Sequence, residues 1–72
     1  MFVKKEKGRS FSQIIFSKCP TYEKFTEEVA RKLKIKKAEI DEILNEEQVK
    51  IDEENIHFLT NRQKLVAYLH SL

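Results

Sequence analysis

Apolar positions along the chain repeat with different periods in different segments. Residues 2–5, Phe2-Val3-Lys4-Lys5, sit in an alternating N-terminal segment and predict a short strand. A second apolar run, Phe11 to Phe16, predicts a second strand from Ser10 or Phe11 to Phe16. Phe11 and Ile15 share one alternation phase and Ile14 and Phe16 the other, which predicts a bulge or a strand end buried on both faces. Between the two runs, Glu6-Lys7-Gly8-Arg9 predicts a hairpin turn, with the only glycine supplying a positive φ.

The period changes after Pro20. Thr21 is a good N-cap, because its hydroxyl can accept from a free N–H of the first helical turn, and Pro20 discourages an earlier start. Tyr22, Phe25, Val29 and Leu33 then recur at spacings of three, four and four, one stripe of an amphipathic helix that Ala30 widens. Glu23, Glu27 and Glu28 lie near its start and Arg31, Lys32 and Lys34 near its end, as the helix dipole favours. Glu27–Arg31 and Glu28–Lys32 are expected pairs at i,i+4.

Beyond Ile35 the pattern admits two readings. Residues 36–47 are good helix formers throughout, yet a turn around Ile40 followed by a strand at 42–45 is favoured, because the other strands need a central partner. Residues 48–51 predict a further short strand. Asp52-Glu53-Glu54-Asn55 predicts a turn capping one helical turn at 56–59. Residues 64–69 alternate, with Leu65, Ala67 and Leu69 on one face and Val66 and Tyr68 on the other. Hairpin, one main helix, then two or three short strands is the order of an α+β chain of the β-grasp (ubiquitin-like) type, a mixed sheet packed on the helix.

Seventy-two residues suit a single domain spanning 1–72. A chain of that size buries only about 60% of the surface its unfolded form exposes. An apolar fraction of 40% is enough for a core and argues against disorder. The single cysteine, Cys19, rules out an internal disulfide and fits a reducing, intracellular compartment. No apolar run reaches the roughly 18 residues of a membrane span, and no signal peptide is visible. The net charge of +2 hides an asymmetry, with eleven Lys/Arg against four Asp/Glu in residues 1–37 and three against eight in residues 38–72. Opposite-sign surfaces are one outcome, a solvated helix with acidic loops the other.

Catalysis needs converging groups, and the sequence assembles none. Ser10, Ser12 and Ser17 lack a nucleophile elbow, and His57 and His70 lie apart near the C-terminal end. Cys19 with His57 is the one conceivable nucleophile–base pair; beside a helix start, Cys19 reads instead as a small structural residue. Zinc and calcium spacings are missing. The expectation is a non-enzyme with no cofactor, no metal and no small-molecule substrate. Lys4, Lys5, Lys7 and Arg9 line the hairpin with Phe2 and Phe11 nearby, a pattern able to contact the phosphates of a nucleic acid. Glu6 interrupts it and the acidic half opposes it, so lysines that deter edge pairing are the favoured reading. Glu46, Glu47, Asp52, Glu53 and Glu54 have only Lys50 among them. They suit a charged loop, or an acceptor for a partner's basic patch.

Val3-Lys4-Lys5-Glu6, Phe11 with Ile14-Ile15-Phe16, and Ser17-Lys18-Cys19-Pro20-Thr21 before the helix form one recognisable series. Ile35 and Ile40 five apart, Ile43-Leu44, and Val49-Lys50-Ile51-Asp52-Glu53-Glu54-Asn55-Ile56 continue it. Over nearly the whole chain this series resembles the C-terminal ubiquitin-like dimerisation domain of grainyhead-type transcription factors. It departs between Leu44 and Val49, where the connection is shorter and lacks glycine. The resemblance implies a non-catalytic protein–protein module of transcription regulation, intracellular and nuclear, whose role is homodimerisation. The expected contact residues are Val66 and Tyr68, then Phe2. A second resemblance is to Phox/Bem-type β-grasp domains, which assemble head to tail. It implies Lys4 or Lys5 against Glu46, Glu47, Asp52, Glu53 and Glu54, although the acidic motif lacks its central glycine. Conjugated ubiquitin-like modifiers carry a terminal di-glycine that His70-Ser71-Leu72 does not offer.

Overall fold

The computed structural model describes residues 1–60 and 62–70; Asn61 lies outside them, as do Ser71 and Leu72 of the His70-Ser71-Leu72 segment weighed against conjugated modifiers. Among the described residues, four strands and one α-helix follow in the order β1 (Phe2–Lys5), β2 (Ser12–Gln13), α1 (Tyr22–Leu33), β3 (Ile40–Asn45) and β4 (Lys64–Leu69). Two 3₁₀ turns, Lys37–Glu39 and Asn55–Phe58, lie in the connections. The strands form one mixed sheet ordered β2-β1-β4-β3, with β1 and β4 parallel at its centre and antiparallel pairs outside them. A small α+β fold, one helix with a four-stranded mixed sheet, is the result.

The helix forms as its pattern dictates. Thr21 Oγ1 accepts from the Lys24 N–H at 3.2 Å, and Phe25, Val29, Ala30 and Leu33 turn inward. It ends at Lys34, in the left-handed region at φ 59°. The Ile35 N–H closes back on the Ala30 carbonyl at 3.0 Å. The ion pairs differ from expectation. Arg31 bonds Glu28 at 2.7 Å rather than Glu27, and Glu23 and Glu27 lie 3.8 and 4.0 Å from Lys37. Lys37 can reach them because the 3₁₀ turn folds back along the helix. These pairs are exposed, and such pairs contribute little.

Residues 36–47 take the strand alternative, with β3 starting at Ile40, earlier than expected. A register irregularity between Ile40 and Glu42 has a clear purpose. Ile40 and Ile43 are three apart and would face opposite sides of a regular strand. The extra residue resets the phase, so Ile40 packs on the core that Ile43 enters.

Three expectations are corrected. Gly8 does not have a positive φ; among the described residues only Lys34 and Gln48 do. Gly8 instead comes close to Lys5, donating its N–H to that carbonyl at 2.9 Å, and an added Cβ would lie 3.2 Å from the same oxygen. The second strand contracts to Ser12–Gln13 and is not buried on both faces near its end, since Ile15 is 69% exposed while Ile14 is buried. Residues 48–51 give a single bridge, Leu44 to Lys50, rather than a strand. Gln48 at φ 67° supplies the left-handed turn where a glycine would be easier.

The core lies between α1 and one face of the sheet. Phe25, Val29 and Leu33 meet Val3, Ile43, Leu65 and Ala67, and Met1, Ile14, Ile51 and Ile56 close its margins.

Candidate functional site

Register assigns every strand residue to a face. Val3, Ile43, Leu65 and Ala67 point to α1 and are fully buried. The intervening residues Phe2, Lys4, Leu44, Lys64, Val66 and Tyr68 form the opposite, outer face. Its cross-strand neighbours are Phe2 with Lys64, Lys4 with Val66, Leu44 with Val66 and Glu42 with Tyr68. Because Ser12 pairs with inward Val3, Phe11 falls on the outer phase beside Lys4. Two elements therefore bring Phe2, Val66 and Tyr68, three residues singled out from the sequence, onto one surface. All three are half-buried by their sheet neighbours.

Phe11 is the residue the sequence reasoning undervalued, together with Leu44 and Lys64. The residue is 39% exposed, and its ring lies beneath two cations, with Lys4 Nζ 5.6 Å and Lys64 Nζ 5.7 Å from its centroid. A cation over a ring at an exposed site is worth about 0.5–1 kcal/mol. The alternation phase of Phe11 was the available signal, but it carried no weight without the true register of β2. Lys4 also donates to the Gly8 carbonyl at 3.4 Å. Lys5 takes the opposite alternation phase at the sheet end and stays exposed, so the two adjacent lysines do not act on one surface.

The acidic residues divide into two turns. Asn45 Oδ1 accepts from the N–H groups of Glu47 and Val49, both at 2.9 Å, and this turn leaves Glu46 and Glu47 exposed. Asp52 behaves differently from its neighbours. Its Oδ1 accepts from the N–H groups of Glu54 and Asn55 at 2.9 and 2.8 Å, while Asn55 Oδ1 accepts from the Asp52 N–H at 2.8 Å. That clasp organises the 3₁₀ turn Asn55–Phe58 and engages one oxygen of the Asp52 carboxylate. Glu53 and Glu54 remain exposed. Burial raises the Tyr22 phenol above its ordinary value, and the nearby Asp52 and Glu53 carboxylates add to the rise.

Comparison of the chain with protein families, curated proteins and solved structures finds no match. The outer face and its chemistry therefore stand on their own geometry. Among the described residues no helix is long and apolar enough to cross a membrane, and no three His, Cys, Asp or Glu side chains gather as a metal site. One further juxtaposition stands away from the outer face. The 3₁₀ turn brings His57 Nδ1 to 3.4 Å from Cys19 Sγ, and both side chains are exposed.

Proposed function

We propose that this chain is a β-grasp protein–protein association module and that the outer sheet face is where a second copy docks. The carrying observation is the mixed character of that face. Phe2, Phe11, Leu44, Val66 and Tyr68 lie among Lys4, Lys64 and Glu42, with α1 packed only on the other side. The sheet order with parallel central strands supports the β-grasp reading, and through it the resemblance to grainyhead-type dimerisation domains with their nuclear setting. A second copy fits this surface by charge. A two-fold axis along β4 lays β1 of one molecule over β3 of the other, so the Lys4 side meets the Glu42 side. Val66 and Tyr68 of β4 occupy the middle, with Lys64 at one end of that strand, and a stable pair needs roughly 800 Å² per partner.

Sedimentation equilibrium tests this reading. The expected result is a dimer that persists at high salt, because apolar burial is not screened, and dissociates in Tyr68→Glu. A monomer at both low and high salt overturns it, as does a dimer indifferent to that substitution.

Charge segregation favours a second reading, head-to-tail assembly. Among the described residues none of Lys5, Glu46, Glu47, Glu53 and Glu54 forms an ion pair within the molecule. Oligomers that dissolve as salt rises would identify it.

A further inference from the structure

The Cys19–His57 pair is independent of the sheet face and asks for its own explanation. Cys19 lies just before the Pro20-Thr21 entry to α1. Ile56, 2% exposed, anchors the 3₁₀ turn that carries His57 across to it. Cys19 Sγ lies 3.4 Å from His57 Nδ1, 3.5 Å from the Pro20 carbonyl oxygen and 3.8 Å from that of Ile56. Carbonyl oxygens can only hold a thiol in its S–H form. An imidazole in the Nε2–H tautomer can also take the proton, which turns a weak nucleophile into a strong one. The pair opens on a cleft of about 440 Å³ bordered by Tyr22, Glu23 and Glu53. On the other side of Cys19 an adjoining depression is bordered by Lys18 and Lys24. The thiol is therefore reachable, and charges of both signs border it.

We propose that Cys19 is a site of covalent modification, reacting with low-molecular-weight disulfides through thiol–disulfide exchange assisted by His57. The Sγ–H proton passes to His57 Nδ1, and the thiolate attacks one sulfur of the disulfide. An S–S bond forms to Cys19 as the original S–S bond breaks. The departing thiolate takes a proton from the imidazolium, which returns His57 to its neutral form. Cys19 is oxidised and the small disulfide is reduced to one thiol. The chain has no second cysteine to resolve the product. The mixed disulfide therefore persists until an external thiol removes it.

The test uses oxidised glutathione as the probe and intact-mass measurement over time. Wild type gains one adduct and Cys19→Ser none. His57→Gln, a change at an exposed position, reacts roughly 3- to 10-fold more slowly near neutral pH. An unassisted thiol is only a few per cent thiolate there, and nucleophilicity falls partly in step with basicity. On acidification His57→Gln loses rate more steeply than wild type. The urea-unfolded wild-type chain keeps both residues but not their contact, and it reacts at the slower rate. Equal rates and equal pH profiles for wild type and His57→Gln overturn the proposal, as does folded wild type reacting no faster than the unfolded chain.

Discussion

The two faces of the sheet are written with the same two-residue alternation and end in opposite conditions. On the inner face Val3, Ile43, Leu65 and Ala67 are all 0% exposed. Their immediate neighbours Phe2, Leu44, Val66 and Tyr68, also apolar or aromatic, are only half-buried. Apolar side chains alone do not separate the faces; the course of α1 does. The outer face also interleaves Lys4, Lys64 and Glu42 with its apolar side chains. That mixture can stand in water and can also be covered by a partner of suitable charge.

Adjacent truncations sharpen the contrast. Ile43→Ala should cost about 2–5 kcal/mol by leaving a cavity, whereas Leu44→Ala, one residue away, should cost less than about 1 kcal/mol. Urea denaturation followed by circular dichroism reads both. Equal losses would mean that the outer face is packed as tightly as the inner one.

A smaller effect is expected where the inner layer is closed at its margin. Ile51 and Ile56 enter the core on either side of the Asp52 clasp. Asp52→Ala should cost about 1 kcal/mol, as losing a helix cap does, and Glu53→Ala nearly nothing. A comparable loss from Glu53→Ala would return Asp52 to the status of an ordinary surface acid.

The smallest effect concerns pH. Tyr22 packs at the rim of the inner layer and its phenol is raised above 10.0, first by burial and then by Asp52 and Glu53. The folded chain thus holds this proton more tightly than the unfolded chain does. The associated stability is complete below the unfolded value and is lost as pH rises through the folded one. Tyr22→Phe should make the alkaline limb of a melting-temperature profile shallower.

Much of this arrangement was readable from local pattern. The stripe of α1, its Thr21 cap and the strand at 64–69 depend on neighbours a few residues away, and they appear where expected. The strand reading of residues 36–47 is right in outcome but not in its reason: it expects a central partner for the other strands, whereas β3 lies at the sheet edge beside β4, and β1 and β4 hold the centre. What escaped notice depended on register or closure. Two positions of pairing on β2 decide that Phe11 joins the outer face. The approach of Gly8 to the Lys5 carbonyl looks, in sequence, like any glycine in a turn. In sequence Cys19 and His57 make a conceivable pair with nothing to join them. Nothing in the thirty-eight intervening steps of chain says that a 3₁₀ turn will fold back over the helix entry.

The parallel pairing of β1 with β4, from Phe2 opposite Lys64 to Lys5 opposite Ala67, has a consequence for time as well as for shape. The middle seam of the sheet joins segments that are almost the whole chain apart. Closing so large a loop costs entropy before any contact rewards it. Helix α1 and the β3–β4 ladder can start from nearer neighbours, so the seam should zip last. For a chain this short, folding is expected at the slow end of the mixed α/β range. During synthesis β1 waits, its best partner still inside the ribosome.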